Sequence, residues 1–211
     1  MSISKKPFVI VVGLDYSEHS DAALGRAFEL ASGEAGELHV VSVLPPLNLD
    51  QPSVPKGTLL DVEVAAAKLH RYVASQWNAF WRSPQGQWLR PPKRVVSHVR
   101  FDRPANGIVQ LAADLSADLV VVGTHGRQGL TRFLLGSVSE QVLRLAACPV
   151  LVMRPKAPIT EDPVIEAACA SCQQQREQSA SELWCAEHQS KRERSHIHYA
   201  HDRPAAGTSS P

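Results

Sequence analysis

A chain of 211 residues with 44% hydrophobic and 20% charged side chains has the balance of a globular protein, with room for one ordinary core and an appendage. A formal charge of +1 argues against a dedicated nucleic-acid surface, which carries a clear basic excess. No apolar run approaches the roughly 18 residues of a membrane span, and the run 8–14, interrupted by Gly13 and closed by Asp15, is too short for a secretion signal and lacks a small-residue cleavage site. The expectation is a cytoplasmic protein, in which four cysteines are thiols or metal ligands rather than disulfides.

In chain order, residues 7–15 (PFVIVVGLD) read as a first strand ending in an acid. A helix follows to about residue 31, with Ala23, Ala27, Leu30 and Ala31 on one face and Ser17 or Ser20 as its cap. Gly33 and Gly36 close it, and 37–43 form a second strand. Pro45, Pro46, Pro52 and Pro55 mark an exposed loop before a second helix over about 59–81, where Val62, Ala66, Leu69, Val73, Trp77 and Phe80 fall at helical spacing. Trp77 and Trp81, with Phe80 nearby, read as core or subunit packing. Residues 83–88 are an irregular connection, 93–99 a third strand and 104–115 a third helix. The near-continuous apolar run 119–122 suits a strand buried on both faces. A fourth helix opens at Gly136-Ser137 and ends near Ala147, and 149–153 is the last strand. Strands alternating with helices predict a parallel sheet with right-handed crossovers. Such a sheet binds ligands beyond the carboxyl ends of its strands, where strand order reverses.

Between the fourth strand and the fourth helix lies Gly123-Thr124-His125-Gly126, nine further residues, then Gly136-Ser137. Strand, glycine loop and helix N-terminus together hold phosphate: glycines let the backbone approach, and free N–H groups and the helix dipole face the anion. Ser137-Val138-Ser139-Glu140 also spells a capping box, which needs no ligand. The two readings are compatible, because a cap leaves other N–H groups free. The chain lacks G-x-x-x-x-G-K-[ST], the lysine-bearing loop of fast nucleoside triphosphatases. It also lacks a glycine-rich turn after its first strand, which argues against a dinucleotide site.

That glycine spacing, set between two apolar strands and followed by V-x-E-x-V-L-x-x-A-x-C-P-V-L-V, resembles the universal stress protein family. Its nucleotide-binding members carry G-x-x-G, nine residues, then G-[S/T], matched here without a departure in spacing, and the resemblance covers roughly residues 5–156. It implies a flavodoxin-like (Rossmann-like) three-layer α/β sandwich with a five-stranded parallel sheet of order 3-2-1-4-5. It also implies ATP, with Mg²⁺, as the ligand. Gly126, Gly136 and the N–H groups of Ser137, Val138 and Ser139 would hold the triphosphate, with the hydroxyls of Ser137 and Ser139 as added donors. Val43, Val122 and Gly123 match positions that line the adenine, and Leu14 joins the set beside Asp15. Asp15 matches a nucleotide-contacting aspartate; it could accept from the ribose or hold Mg²⁺ through water, or be an ordinary turn acid. His125 is read as a phosphate or ribose contact only. No nucleophile, paired acid or base–orienter couple surrounds it, so no catalytic residue is assigned.

In the family the last strand, 150–153 here, pairs with its two-fold mate, and a bare apolar edge would invite such pairing physically, so a homodimer is expected. The function expected is ATP binding in stress response or signalling, without enzyme activity. Two rivals are a nucleotide-free scaffold that recruits a protein partner, and a slow ATPase or nucleotidyl-transfer enzyme.

Residues 1–156 form the domain so described, and 157–211 a tail on which the resemblance is silent. After a linker (156–163), Cys169-x-x-Cys172, twelve residues and Cys185-x-x-His188 have the ligand spacing of a tetrahedral Zn²⁺ held by three thiolates and one imidazole. The tail's few apolar residues (Val164, Ile165, Leu183, Trp184) cannot fold it by burial, and a metal would supply the missing free energy. The plainer alternative is a disordered polar tail with chance cysteines. His196, His198 and His201 are alternative fourth ligands, the tail's protein partner is unknown, and Cys148 reads as a buried core thiol.

Overall fold

In a computed structural model that describes residues 6–33, 36–44, 58–124, 135–155, 168–179 and 182–193 (58–61 and 190–193 as backbone only), the chain separates into two compact units, Met1–Lys156 and Ala157–Pro211. The prolines of the 45–55 loop, His125, Gly126, residues 156–163 and the histidines His196, His198 and His201 lie outside the described residues.

In the first unit, β1 (Phe8–Gly13), α1 (Glu18–Leu30), β2 (Gly36–Leu44), α2 (Thr58–Arg82), β3 (Arg94–Phe101), α3 (Pro104–Asp114), β4 (Leu119–Gly123), α4 (Ser137–Leu145) and β5 (Val150–Met153) follow one another, with a short 3₁₀ turn at Gly86–Trp88. The strands form one parallel sheet of order β3-β2-β1-β4-β5, the flavodoxin-like order expected. Because β1 is central, both its faces are buried, and Ile10, Val11 and Val12 are each 0% exposed. Every such aliphatic side chain contributes about 1.5–3 kcal/mol relative to exposure. Strand alternation divides the core in two. Ile10, Val12, Leu38 and Val40 meet Ala23, Leu24, Ala27 and Phe28 of α1 and Leu69 and Val73 of α2. On the other face Val11, Val41, Val120 and Val122 meet Ala105, Ile108 and Leu111 of α3 and Val142 of α4.

The sequence pattern errs at two helix positions. Leu30, placed on the apolar face of α1, is 36% exposed, and Leu24 and Phe28 take the buried places. Phe28 anchors an aromatic cluster, with the Trp77 ring 5.5 Å and the Phe80 ring 5.3 Å away. Ala66 of α2 is exposed, because the buried stripe passes through Leu69 and Val73 instead. α4 stops at Leu145, earlier than expected, since Ala146 is already extended (ψ 137°) on the way to Pro149. Cys148 is half-buried, and its thiol is raised above the usual range by desolvation.

The second unit contains α5 (Ala170–Gln178) and α6 (Ala186–Glu193). Among its described side chains Cys172 alone is buried.

Candidate functional site

From β1 the chain steps outward through β2 to β3, then returns to β4 on the other side of β1. β1 is thus followed by β2 on one side and β4 by β5 on the other, so their adjacent carboxyl ends mark the place where such sheets take ligands. Asp15 stands there, two residues beyond β1. Its Oδ1 accepts from the Ser17 N–H at 3.0 Å and the Ser17 hydroxyl at 2.6 Å, so it does shape the turn. Ser17 in turn caps α1, and Ser20 closes a reciprocal capping box with it, so both candidate serines are used. Between Asp15 and Ser17 the backbone bends sharply enough to put Tyr16 at φ 65°, a left-handed conformation that is unusual for a bulky residue and often found at functional sites. The Tyr16 ring is held edge-on by Tyr72 at 4.9 Å and carries the Lys68 ammonium 4.6 Å from its centroid. The Tyr72 hydroxyl donates to Asp21 at 2.6 Å, and burial, then that carboxylate, push the phenol up to about 12. Beside this turn is a cavity of about 280 Å³ bordered by Tyr16, Ser42, Leu44, Lys68 and Val99.

Leu14 is 4% exposed, with its side chain in the α1/α2 core, so its contribution to a ligand would be backbone alone. Val43 faces the opposite layer, where its methyl groups lie 2.9 Å from the place a Cβ on Gly107 would occupy. Val122 and Val138 belong to that same layer.

On the β4 side, Gly123 is required sterically: a Cβ there would lie 2.7 Å from the carbonyl carbon of His19 and 2.8 Å from its oxygen. The strand end is thus pressed against the first turn of α1. Thr124 fixes the contact, with its hydroxyl 2.8 Å from His19 Nδ1 and its N–H donating to the Met153 carbonyl at 2.8 Å. Its own carbonyl accepts from the Gly136 N–H at 2.7 Å, tying the start of α4 to the end of β4.

Here the structure corrects the reading of residues 137–140. The N-cap of α4 is Gly136, in extended conformation and with no side-chain cap bond, so the S-x-x-E box is one residue out of register and does not form. Ser139, the expected hydroxyl donor to phosphate, is buried and donates instead to the Gly123 carbonyl at 2.5 Å. What Ser139 can offer a ligand is its backbone N–H, one of three successive N–H groups (Ser137, Val138, Ser139) in the first turn of α4. The hydroxyl of Ser137 is on an exposed residue. Tyr16, His19 and Thr124 escaped the sequence reading; only the position of Thr124 inside the glycine loop offered a hint.

In the second unit, the ligand atoms of Cys169, Cys172, Cys185 and His188 all lie within 4.8 Å of one another. Each pair stands at a helix start: Cys169 is the N-cap of α5 with Cys172 in its first turn, and Cys185 precedes α6 with His188 in its first turn. The His188 N–H and then its ring hold the Cys185 thiol down to about 7, which favours the thiolate that binds metal.

The parallel sheet of order 3-2-1-4-5 with Gly123 at its switch point defines a flavodoxin-like α/β protein. A model of the universal stress protein family matches residues 8–154, and the chain belongs to that family. A universal stress protein of Methanocaldococcus jannaschii is 57% identical over 151 residues, which cover 69% of this chain and 81% of the relative. One from Mycobacterium bovis is 39% identical over 146 residues, 69% of this chain. The present chain spans only 45% of that mycobacterial protein's length. In structure, the universal stress protein UspA from Lactobacillus plantarum superposes with a TM-score of 0.56 at 24% identity, over 71% of this chain and 99% of that one, a likeness of fold. The family match ends before the second unit. Among the described residues, no helix is long and apolar enough to cross a membrane.

Proposed function

We propose that the first unit binds ATP with Mg²⁺ at the carboxyl ends of β1 and β4, as a cytoplasmic homodimer acting in stress response or signalling. The observation that carries this reading is the first turn of α4. Its N-cap is a glycine without a side-chain cap, and Ser139 and Gly136 brace it onto Gly123 and Thr124, so the N–H groups of Ser137, Val138 and Ser139 are held for an anion. In this reading Gly126 and Gly136 let the phosphates approach, and His125 adds a contact to phosphate or ribose. Asp15 accepts from the ribose or holds Mg²⁺ through water. Leu14, through its backbone, lines the base with Val43, Val122 and Gly123. The dimer forms through the outer edge of β5, the last strand of the sheet. No residue is given a catalytic role. The second unit adds one Zn²⁺ and a surface for a protein partner.

Calorimetric titration of the purified chain with ATP·Mg²⁺ tests the reading, beside a Gly126→Val/Gly136→Val double variant and Asp15→Ala. Saturable binding that both variants weaken is expected. A folded wild type with no binding would sink the ATP reading and leave an interaction scaffold on the same fold. Turnover of ATP to ADP during the titration would instead make the protein a slow ATPase.

A further inference from the structure

The second unit has an unusual centre. Its helices are polar, α5 reading ASCQQQREQ and α6 AEHQSKRE, and among the described side chains the one buried residue is Cys172. A unit with a centre of sulfur in place of hydrocarbon gains little from burial and needs a bond to hold it. Two kinds are available, a disulfide or a metal, and the geometry discriminates between them.

Cys172 Sγ lies 3.5 Å from Cys185 Sγ and 3.6 Å from His188 Nδ1, and Cys185 Sγ lies 3.3 Å from the same nitrogen. Around one Zn²⁺, bonds of about 2.3 Å to sulfur and about 2.0–2.1 Å to nitrogen at tetrahedral angles put sulfurs about 3.8 Å apart and sulfur about 3.5–3.6 Å from nitrogen. These three separations are close to a tetrahedron's edges, and with Cys169 included the four ligand atoms all lie within 4.8 Å of one another. A disulfide would bring two sulfurs to about 2.0 Å and would give His188 no reason to point its ring at both of them. Charge agrees as well. Three thiolates and one dication leave a net negative cluster, and it sits at the N-termini of both helices, the end that favours anions. Backbone N–H groups point at the sulfurs too: Cys185 N–H to Cys172 Sγ at 3.4 Å, and those of Cys172 and Ser171 to Cys169. Such outer bonds orient thiolate ligands.

The structure assigns a structural zinc site to Cys169, Cys172, Cys185 and Nδ1 of His188, and makes that metal the element that folds residues 168–193. All four positions are filled by protein, so the site is closed, with no place for the water or substrate a catalytic zinc keeps. Three soft sulfurs and an imidazole in this geometry select Zn²⁺ over the hard cations. The reading is independent of ATP binding by the first unit.

The test uses the full chain, purified under reducing conditions and dialysed with Zn²⁺. Metal analysis should give about one zinc per chain, the stoichiometry of a single four-ligand site. Cys172→Ser should lose it, while Cys148→Ser, on the first unit, should retain it. Co²⁺ in place of zinc should show thiolate charge-transfer bands and the intense visible bands of a tetrahedral site. In hydrogen exchange, removing the metal should abolish protection over 168–193 and leave β1 and β4 protected, which separates loss of the site from global unfolding. A reduced chain that takes up no zinc, a Cys172→Ser variant that binds it equally, a Cys172–Cys185 disulfide in the fresh protein, or protection over 168–193 that survives without metal would each overturn the assignment.

Discussion

Removing the hydroxyl of Ser139 distinguishes its two readings, phosphate donor and brace. The side chain is 4% exposed and donates to the Gly123 carbonyl at 2.5 Å, so Ser139→Ala removes a donor from a buried backbone acceptor. Leaving such a group unpaired costs about 1–3 kcal/mol. In a domain of this size each kcal/mol lowers Tm by roughly 2–4 °C, which gives a fall of roughly 2–12 °C. Ser137 is the control: it is exposed, so Ser137→Ala should change stability by no more than about 0.5 kcal/mol. Differential scanning calorimetry of the two variants without ligand checks this, and ATP titration well below Tm follows. Loss of one donor to phosphate should weaken binding by Ser137→Ala roughly 2–10-fold, the equivalent of about 0.5–1.5 kcal/mol. If Ser139→Ala melts with the wild type and loses affinity instead, the hydroxyl serves the ligand and the bracing argument is wrong.

Gly123→Ala should destabilise by about 1–3 kcal/mol, because the new methyl meets the backbone of His19, which cannot rotate away. Gly25→Ala is its counterpart: a Cβ there meets nothing within 4 Å inside α1, so it should stabilise by about 0.4–1 kcal/mol, and thermal melts that reverse these signs would refute the steric reading. The third prediction concerns the β2–β3 pair, where His39 Nδ1 lies 2.9 Å from His98 Nε2 amid Glu37, Arg94 and Arg100. Both imidazoles are held below the usual histidine range, His39 by burial and then Arg94, His98 by burial and then His39. The unfolded chain therefore binds more protons, and this stability, complete above about pH 6.5, is lost as pH falls from there through the depressed folded values. Melts from pH 7.5 to 5 should show the wild type losing more stability than His98→Asn; parallel curves would exclude the pair as the cause.

The sequence alone determined the strands and their parallel, crossover-linked arrangement, because that information is local and periodic. The order 3-2-1-4-5 came only with the family resemblance carried by the glycine spacing. Ile10 to Val12 and the 119–122 run can only be strands with both faces covered, and helical spacing between them forces crossovers. Asp15, Gly123 and the start of α4 were legible for the same reason: each lies at a strand end or helix start that the pattern marks. The paired Cys/His spacing likewise marked four candidate ligands, three thiolates and one imidazole, in the tail. Tertiary structure decided what each polar group does with its hydrogen bonds. S-x-x-E at 137–140 spells a box in sequence, yet the tie from Gly136 N–H to Thr124 moves the cap one residue upstream and turns Ser139 inward to Gly123. His19 and Thr124 meet across 105 residues of chain, and His39 and His98 across 59, separations that no local pattern encodes. Leu30 and Phe28 show the same limit in the core. Helical periodicity names a face about a third of the circumference wide, and only the shape of the opposing layer, here the Trp77 and Phe80 rings, selects which side chain fills it.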